Sequence, residues 1–345
     1  MEFGIFLNGY LPGPAAHDSE CEHEMITREG QYVVQADRFG WKYAWFGEHH
    51  SLTEYSHLSA PEVLMANVAA RTERIHMASG INNLSPRVNH PVRNAERAAF
   101  LDHVTNRRYE WGTGRGAGSH EIATFNILDK DSTKSEWEEV IREIPRMWEQ
   151  RDYTFEGQHF TVPTPHNVLP KPYGKGHPPI WVACGNPGTY ARAGELGIGA
   201  IAASRGRGYL YSMVCLYHDT MPKPDYAPVW PAPPLAMVNE DNLDDLIKAG
   251  WLLCGPPDEV CEQVERYQNV GCDQVVFGLP GDGMEHDEIL EMLELFGTKV
   301  IPEFDLDPVH STTRYREAAV RKYPDFGHPV PDVSVEVLPT TALLH

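Results

Sequence analysis

Short apolar runs alternate with longer amphipathic stretches along most of the 345-residue chain. Apolar runs rich in β-branched and aromatic residues predict strands, whereas apolar residues at helical spacing predict helices. The predicted strands cover 3–7, 43–47, 75–81, 108–114, 179–185, 198–204, 234–240 and 273–279. The predicted helices cover 24–39, 60–72, 90–104, 135–150, 188–197, 208–220, 256–271 and 284–304.

This alternation of strands and helices predicts an α/β protein with the (β/α)8 architecture of a TIM barrel. Strands separated by helices pair in parallel through right-handed crossovers, and eight such units close one barrel. An open doubly wound sheet usually begins with a glycine fingerprint, which does not follow the strand at 3–7. We therefore expect one barrel domain over 1–304 and a C-terminal tail over 305–345.

The segment 151–178 interrupts the alternation, because it is rich in proline, histidine and aromatic residues. Its composition is not that of a linker between two domains. We expect an insertion that lies over the C-terminal mouth of the barrel and acts as a lid.

The chain is strongly acidic, with 29 basic and 49 acidic residues and a formal net charge of −20. Such a surface should repel nucleic acid and anionic lipid. The sequence has no apolar run near the ~18 residues of a membrane helix, and its start lacks a basic leader. We expect a cytoplasmic protein that binds neither nucleic acid nor membrane. A few backbone amides and one arginine can still form a local anion pocket.

Polar residues follow several predicted strands at the end where barrel enzymes carry their active sites. They are Glu48, His49 and His50 after the second strand, Asn82 and Asn83 after the third, Arg115 after the fourth, and Gly185, Asn186 and Thr189 after the fifth.

The stretch EHHSLTEYSH at 48–57 raises the question of a metal site. His50, Glu54 and His57 would share a face if this segment were helical. Its serine, threonine and tyrosine content before Pro61 predicts a loop instead, so we expect no metal. The residues themselves leave two alternatives open for His49: a catalytic acid/base, or a polar strand end that only binds neighbouring loops.

Two further stretches are compatible with binding a phosphate group. The glycines of GTGRGAG at 112–118 let backbone amides approach an anion that Arg115 could bind, although a flexible turn has the same composition. Asn186 followed by Pro187 is an ordinary helix N-cap, and a helix N-terminus also favours a phosphate.

Several long stretches occur in one order: FGIF, GWKYAWFGEHH, LSPRVNHPVRNAERAAFLDHVTNRRYEWGTGRG, PIWVACGNPGTYARAGELGIG and GPPDEVCEQVERYQNVGCDQVVFG. Together they resemble the bacterial-luciferase-like family of flavin-dependent monooxygenases over nearly all of 1–304. The resemblance implies a TIM barrel with FMN at its C-terminal mouth and an NAD(P)H:flavin reductase that supplies reduced FMN. It also implies that a flavin (hydro)peroxide, formed with O2, oxidises a small organic substrate, and that the protein is a homodimer.

The resemblance also implies roles for individual residues. His49 would be the catalytic acid/base, and Arg115 would bind the FMN phosphate. The expected cofactor-binding residues are Glu48, Asn82, Asn83, Arg115, Gly185, Asn186, Thr189 and Ser204. We expect substrate contacts at Tyr10, His17 and His57. The alternatives are a deazaflavin-dependent oxidoreductase of the same fold, a non-catalytic flavin-binding subunit and a metal-dependent barrel hydrolase.

Overall fold

The computed structural model describes residues 1–53, 55–116, 118–202, 229–231, 243–250, 252–279 and 284–322. Its strands are β1 (Glu2–Leu7), β2 (Tyr43–Phe46), β3 (His76–Ser79), β4 (Asn82–Asn83), β5 (Tyr109–Gly114), β6 (Tyr153–Glu156), β7 (Thr161–His166), β8 (Ile180–Cys184), β9 (Gly199–Ala202), β10 (Val229–Pro231) and β11 (Gln274–Gly278). Its α-helices are α1 (Ser19–Arg38), α2 (Pro61–Ala69), α3 (Pro91–Val104), α4 (Ser119–Ala123), α5 (Thr133–Glu149), α6 (Pro187–Leu196), α7 (Leu243–Ala249), α8 (Pro257–Gln268), α9 (His286–Lys299), α10 (Ile301–Phe304) and α11 (Ser311–Lys322).

Parallel pairings between the strands form a closed ring. The order is β3-β2-β1-β11-β10-β9-β8-β5, and β3 also pairs with β5. The short strand β4 follows β3 and pairs with β5 as well. The predicted (β/α)8 barrel is therefore confirmed. Strands β1, β2 and β9 are buried at nearly every residue, which explains why they appear in the sequence as nearly continuous apolar runs.

Most predicted elements lie within a few residues of the observed ones. The predicted helix over 208–220 and the predicted strand over 234–240 fall outside the described residues. The helix predicted over 284–304 is instead two helices, α9 and α10, with Pro302 in the first turn of α10. A proline suits the first turn of a helix because the N–H that it lacks would have no partner there.

A glycine at one position allows two strands to approach closely. A Cβ atom on Gly112 in β5 would lie 1.8 Å from the backbone oxygen of Ser79 in β3. No other residue fits this contact, which lies where the barrel closes.

Trp45 and Trp181 pack edge to face with their ring centroids 5.5 Å apart, and both are buried.

Helix α11 and the residues before it pack against the barrel. Arg316 donates to both carboxylate oxygens of Asp102 at 2.7 Å, and both side chains are buried. The buried rings of His76 and His310 stack with centroids 3.8 Å apart. Residues 305–322 are thus tied to the barrel by buried polar contacts, and the predicted domain boundary at 304 stays a prediction.

The insertion forms an antiparallel hairpin, β6–β7, that packs beside α5. The backbone amides of Gln158 and His159 donate to the Glu139 carboxylate at 2.7 and 2.9 Å. The Tyr153 hydroxyl donates to Glu143 on the same helix at 2.9 Å. Residues 151–178 do not line the cavity that lies at the C-terminal ends of the barrel strands, so their role as a lid stays a prediction.

Among the helices of the described residues, none combines the length and the apolar character needed to cross a membrane.

Replacing Arg316 with leucine should lower the free energy of unfolding by about 3–5 kcal/mol, because the fully buried Asp102 carboxylate loses its ionic partner. Urea denaturation measures this loss. Arg314→Leu on the same helix is the control, since Arg314 pairs with Asp307 in solvent and should change stability little. Equal losses in the two variants would contradict the interpretation of the buried pair.

Candidate active site at the barrel mouth

A cavity of about 660 Å³ lies at the C-terminal ends of the barrel strands. Its size is that of a small-molecule or cofactor site. Apolar walls come from Phe6, Ile81, Trp137 and Val182. The predicted site residues that line it are Glu48, His49, Arg115, Gly185, Asn186 and Thr189.

Glu48 is a buried carboxylate that gathers several donors at the end of β2. It accepts a hydrogen bond from the Asn82 amide at 2.7 Å, and His50 Nε2 lies 3.3 Å from it. A guanidinium nitrogen of Arg97, on α3, lies 3.5 Å away. Asn82 in turn accepts from the indole N–H of Trp111 at 3.0 Å. These contacts anchor the strand end against α3.

His49 follows Glu48 and lines the cavity as well. Its Nδ1 lies 3.6 Å from a carboxylate oxygen of Glu121, and its ring packs edge-on against Tyr55 at 5.1 Å. Within the described residues, this Nδ1 is buried and has no hydrogen-bond partner. An imidazole in a cavity wall can serve as a general acid or base, and the Glu121 carboxylate beside it can orient the ring.

Sequence reasoning missed Glu121, which is almost fully buried on α4. Its carboxylate also accepts the backbone N–H of His50 at 3.2 Å and so fixes the chain after the strand end. Its position in the sequence, just after the glycine-rich loop of the fourth barrel strand, could have indicated that it lies near the C-terminal end of the barrel.

His50 differs from His49 in its surroundings. Its hydrogen bond to Glu48 raises the pKa of the imidazole above its ordinary value, against an opposing effect of burial. The ring packs edge-on against Phe125 at 5.1 Å. His50 is absent from the cavity lining, so the structure separates the two histidines into a cavity residue and an anchor.

Basic side chains gather at one end of the cavity, which we call the basic corner: Arg115, Lys130, Lys134 and Arg192. Burial and the nearby Arg115 lower the pKa of Lys130. The N-terminus of α6 lies at the same end, where Asn186 caps the helix by accepting the Thr189 N–H at 3.2 Å. In a chain of net charge −20, this corner can hold an anion.

Sequence reasoning found Arg115 and missed the other three cations. Lys134 and Glu138 lie on the first turns of α5, with spacing that places both on the side facing the mouth. Arg192 lies on α6, one turn beyond its N-terminal residues. Helical spacing within the helix predicted over 188–197 could have indicated Arg192, whereas Lys130 and Lys134 precede the helix predicted over 135–150.

Several predicted site residues do not line the cavity. Asn83 is buried and accepts the Ser85 N–H at 3.0 Å. His57 contacts Glu22 at 2.7 Å and the Thr53 carbonyl at 2.5 Å. Asn82, Tyr10 and His17 also lie outside the lining, and Ser204 lies outside the described residues. The cofactor or substrate contacts of these residues stay predictions.

The segment after β2 is a loop with a bridge between Leu52 and Ser56, as predicted. His50 and His57 face different carboxylates, Glu48 and Glu22. Glu54 lies outside the described residues. Across the described ranges, no group of three histidine, cysteine or acidic side chains is placed to hold a metal ion.

Comparison with known proteins places this geometry in context. The sequence model of the luciferase-like monooxygenase family matches residues 1–214. The chain is 30% identical over 198 residues to the oxygenase component of the flavin-dependent trigonelline monooxygenase of Acinetobacter baylyi, covering 57% of this chain and 52% of that protein. The matches to the first curated relatives span about half of their lengths.

Two other similarities extend over more of the chain. An F420-dependent glucose-6-phosphate dehydrogenase of Kineococcus radiotolerans is 23% identical over 84% of this chain and 97% of its own. The oxygenating constituent of the Pseudomonas putida 3,6-diketocamphane monooxygenase, solved with FMN, superposes with a TM-score of 0.72 at 19% identity. That similarity covers 89% of this chain and 99% of the solved one, and at this identity it shows the fold.

Replacing Glu48 with glutamine should lower the pKa of His50, because the hydrogen bond that raises it is weakened while burial remains. The stabilisation from this pair should be complete at pH values below the ordinary histidine pKa and lost as the pH rises through the raised value. NMR titration of the histidine side chains measures the shift.

Glu22→Gln is the control for this titration, because Glu22 pairs with a different histidine of the loop after β2, His57. It should leave the His50 titration unchanged. A His50 pKa that is the same in the parent and in Glu48→Gln would show that Glu48 does not control its charge.

Proposed function

Since the chain belongs to the luciferase-like monooxygenase family, we propose that it is an FMN-dependent monooxygenase that oxidises a small organic substrate with O2. The observation that carries the proposal is one cavity whose walls include both His49, which Glu121 contacts, and the basic corner. Reduced FMN supplies the electrons for oxygen activation when it is bound. The chain's own groups would bind it, orient it and manage protons.

The basic corner is the proposed phosphate site. Arg115 donates to the Lys130 carbonyl and the Thr133 hydroxyl, both at 3.4 Å, so these long contacts would yield readily to a charged acceptor. Gly185 and Gly188 line the same end without side chains, which allows a close approach to the N-terminus of α6. The dipole of α6 adds to the charge of the arginine.

The apolar middle of the cavity suits a planar ring system. Phe6, Ile81, Trp137 and Val182 offer surfaces that would exclude water from the ring. Trp137 is held by a hydrogen bond from its indole N–H to the Thr113 hydroxyl at 3.2 Å. A ring placed there, with its phosphate at the basic corner, would extend towards the strand end that carries His49.

His49 is the proposed catalytic acid/base. Its imidazole would exchange a proton with the reacting groups in the cavity, and Glu121, 3.6 Å from Nδ1, would help to orient the ring. Tyr55 packs against the ring and limits its orientation. Glu48 would act as a positioning residue, because its contacts fix the segment after β2 from which His49 projects.

A deazaflavin-dependent oxidoreductase is the second candidate, favoured by the F420-dependent relative that aligns with 84% of this chain. Such an enzyme transfers hydride without oxygen, so dependence of turnover on O2 separates the two. A flavin-binding subunit without activity would bind FMN at the same cavity and form no product.

The proposal includes two protein partners. An NAD(P)H:flavin reductase would supply reduced FMN, in keeping with the relative that is named as an oxygenase component. A second copy of the chain would complete a homodimer. Apolar side chains exposed on neighbouring helices support such a contact: Phe100 and Val104 on successive turns of α3, and Val63 on α2.

Arg115→Met should weaken binding of reduced FMN by about tenfold to a hundredfold, the effect of losing hydrogen bonds to a charged group. Binding of reduced riboflavin, which has no phosphate, should be unchanged. Anaerobic fluorescence titration measures both affinities. Arg146→Met is the control, because Arg146 lies on α5 outside the cavity lining. Equal loss for both flavins would remove Arg115 from the phosphate site.

His49→Ala should bind reduced FMN as the parent does and lose product formation by about a hundredfold or more, the usual contribution of an acid/base residue. The assay supplies FMN, a flavin reductase, NADH, O2 and a panel of small organic substrates, and detects products by mass spectrometry. His23→Ala is the control, because His23 is exposed on α1. Undiminished product formation by His49→Ala would exclude the catalytic role, and O2-independent turnover with F420 would favour the second candidate.

A further inference from the structure

Arg192 and Glu138 form a bidentate ion pair within the basic corner. Arg192 Nε lies 2.8 Å from one oxygen of Glu138, and a terminal guanidinium nitrogen lies 2.8 Å from the other. The remaining terminal nitrogen contacts Glu195 at 2.6 Å. The planar edge of Arg192 that best matches a phosphate is therefore held by a carboxylate of the chain itself.

Glu138 lies on the wall of the cavity at the end where a phosphate would bind. It shares this end with Arg115, Lys130, Lys134 and the N-terminus of α6. A carboxylate among these cations repels an incoming phosphate and occupies one of its donors. The two charges do not need each other as compensation for burial, because the Arg192 and Glu138 side chains are 25% and 37% exposed to solvent.

We propose that Glu138 is an internal competitor of the flavin phosphate and sets the affinity of the site for phosphate-bearing flavins. The inference rests on the proposed function, because it assumes that FMN places its phosphate at the basic corner. Glu138 is a specificity-determining residue in this sense, since its carboxylate acts on the phosphate and not on the ring.

The structure also provides a second partner for the displaced carboxylate. Arg142 lies one turn further along α5, with a guanidinium nitrogen 3.5 Å from Glu138. When a phosphate takes the bidentate edge of Arg192, Glu138 can pair with Arg142 instead, at the usual helical spacing of i and i+4. The exchange keeps every charge partnered, so competition weakens flavin binding without preventing it.

This competition has a functional consequence for an enzyme that receives its flavin from another protein. Reduced FMN must enter the site and oxidised FMN must leave it in each cycle. A carboxylate that returns to Arg192 as the phosphate departs lowers the barrier to release, because the guanidinium is never left without an anionic partner.

The test compares the parent with Glu138→Gln and Glu195→Gln. The two residues are matched, because both pair with Arg192 but Glu195 is absent from the cavity lining. Anaerobic titration gives the affinities of each protein for reduced FMN and reduced riboflavin. Glu138→Gln should bind reduced FMN about fivefold tighter, the effect of removing one partly exposed ion pair, with riboflavin unchanged. Glu195→Gln should differ little from the parent.

Glu138→Ala, whose fold is checked by thermal unfolding, should change FMN affinity in the same direction. If the parent prefers FMN to riboflavin but Glu138→Gln binds FMN equally or more weakly, Glu138 orients Arg192 and the inference is wrong, while the proposed phosphate site stands. If the parent binds FMN and riboflavin equally, or binds neither, the proposed phosphate site fails and the inference fails with it.

Discussion

The buried carboxylate of Glu48 is the constraint on which the arrangement of the barrel mouth depends. A charge removed from water must be surrounded by donors, and here they come from Asn82, His50 and Arg97. These partners belong to different parts of the fold, so satisfying one carboxylate joins β4, the loop after β2 and α3. Fixing Glu48 also fixes the backbone of the next residue, His49, which lines the cavity as well.

A second constraint is electrostatic and acts at the basic corner of the same cavity. The chain carries 20 more acidic than basic residues, yet α5, the turn before it, α6 and the end of β5 bring four cations to one corner of the cavity. Parallel barrel topology makes this possible, since strand ends and helix N-termini all meet at the mouth. The Glu138 carboxylate lowers the positive charge of the basic corner. The basic corner and His49 both line one cavity of about 660 Å³. The proposed flavin chemistry follows from that combination.

The barrel fold and part of the cavity wall could be predicted from the sequence, because both depend on local patterns. Residues whose positions depend on contacts between distant elements could not. The barrel follows from the alternation of apolar runs and helical spacings, and the positions of His49 and Arg115 in the cavity wall follow from their places after predicted strands. Glu121, Arg192 and Glu138 were missed because their positions depend on how short or distant helices turn towards the mouth. The hydrogen bond from the Asn82 amide to Glu48 was also missed, because it joins residues far apart in the sequence and no local pattern encodes it.

The most direct test of the proposed site is a crystal structure of the protein with FMN. The site predicts electron density for the phosphate within hydrogen-bond distance of Arg115 and the N-terminus of α6, with the ring against Trp137 and Ile81 and one edge beside His49. FMN bound with its phosphate outside the basic corner, or with its ring away from His49, would contradict the assignment of this cavity as the flavin site.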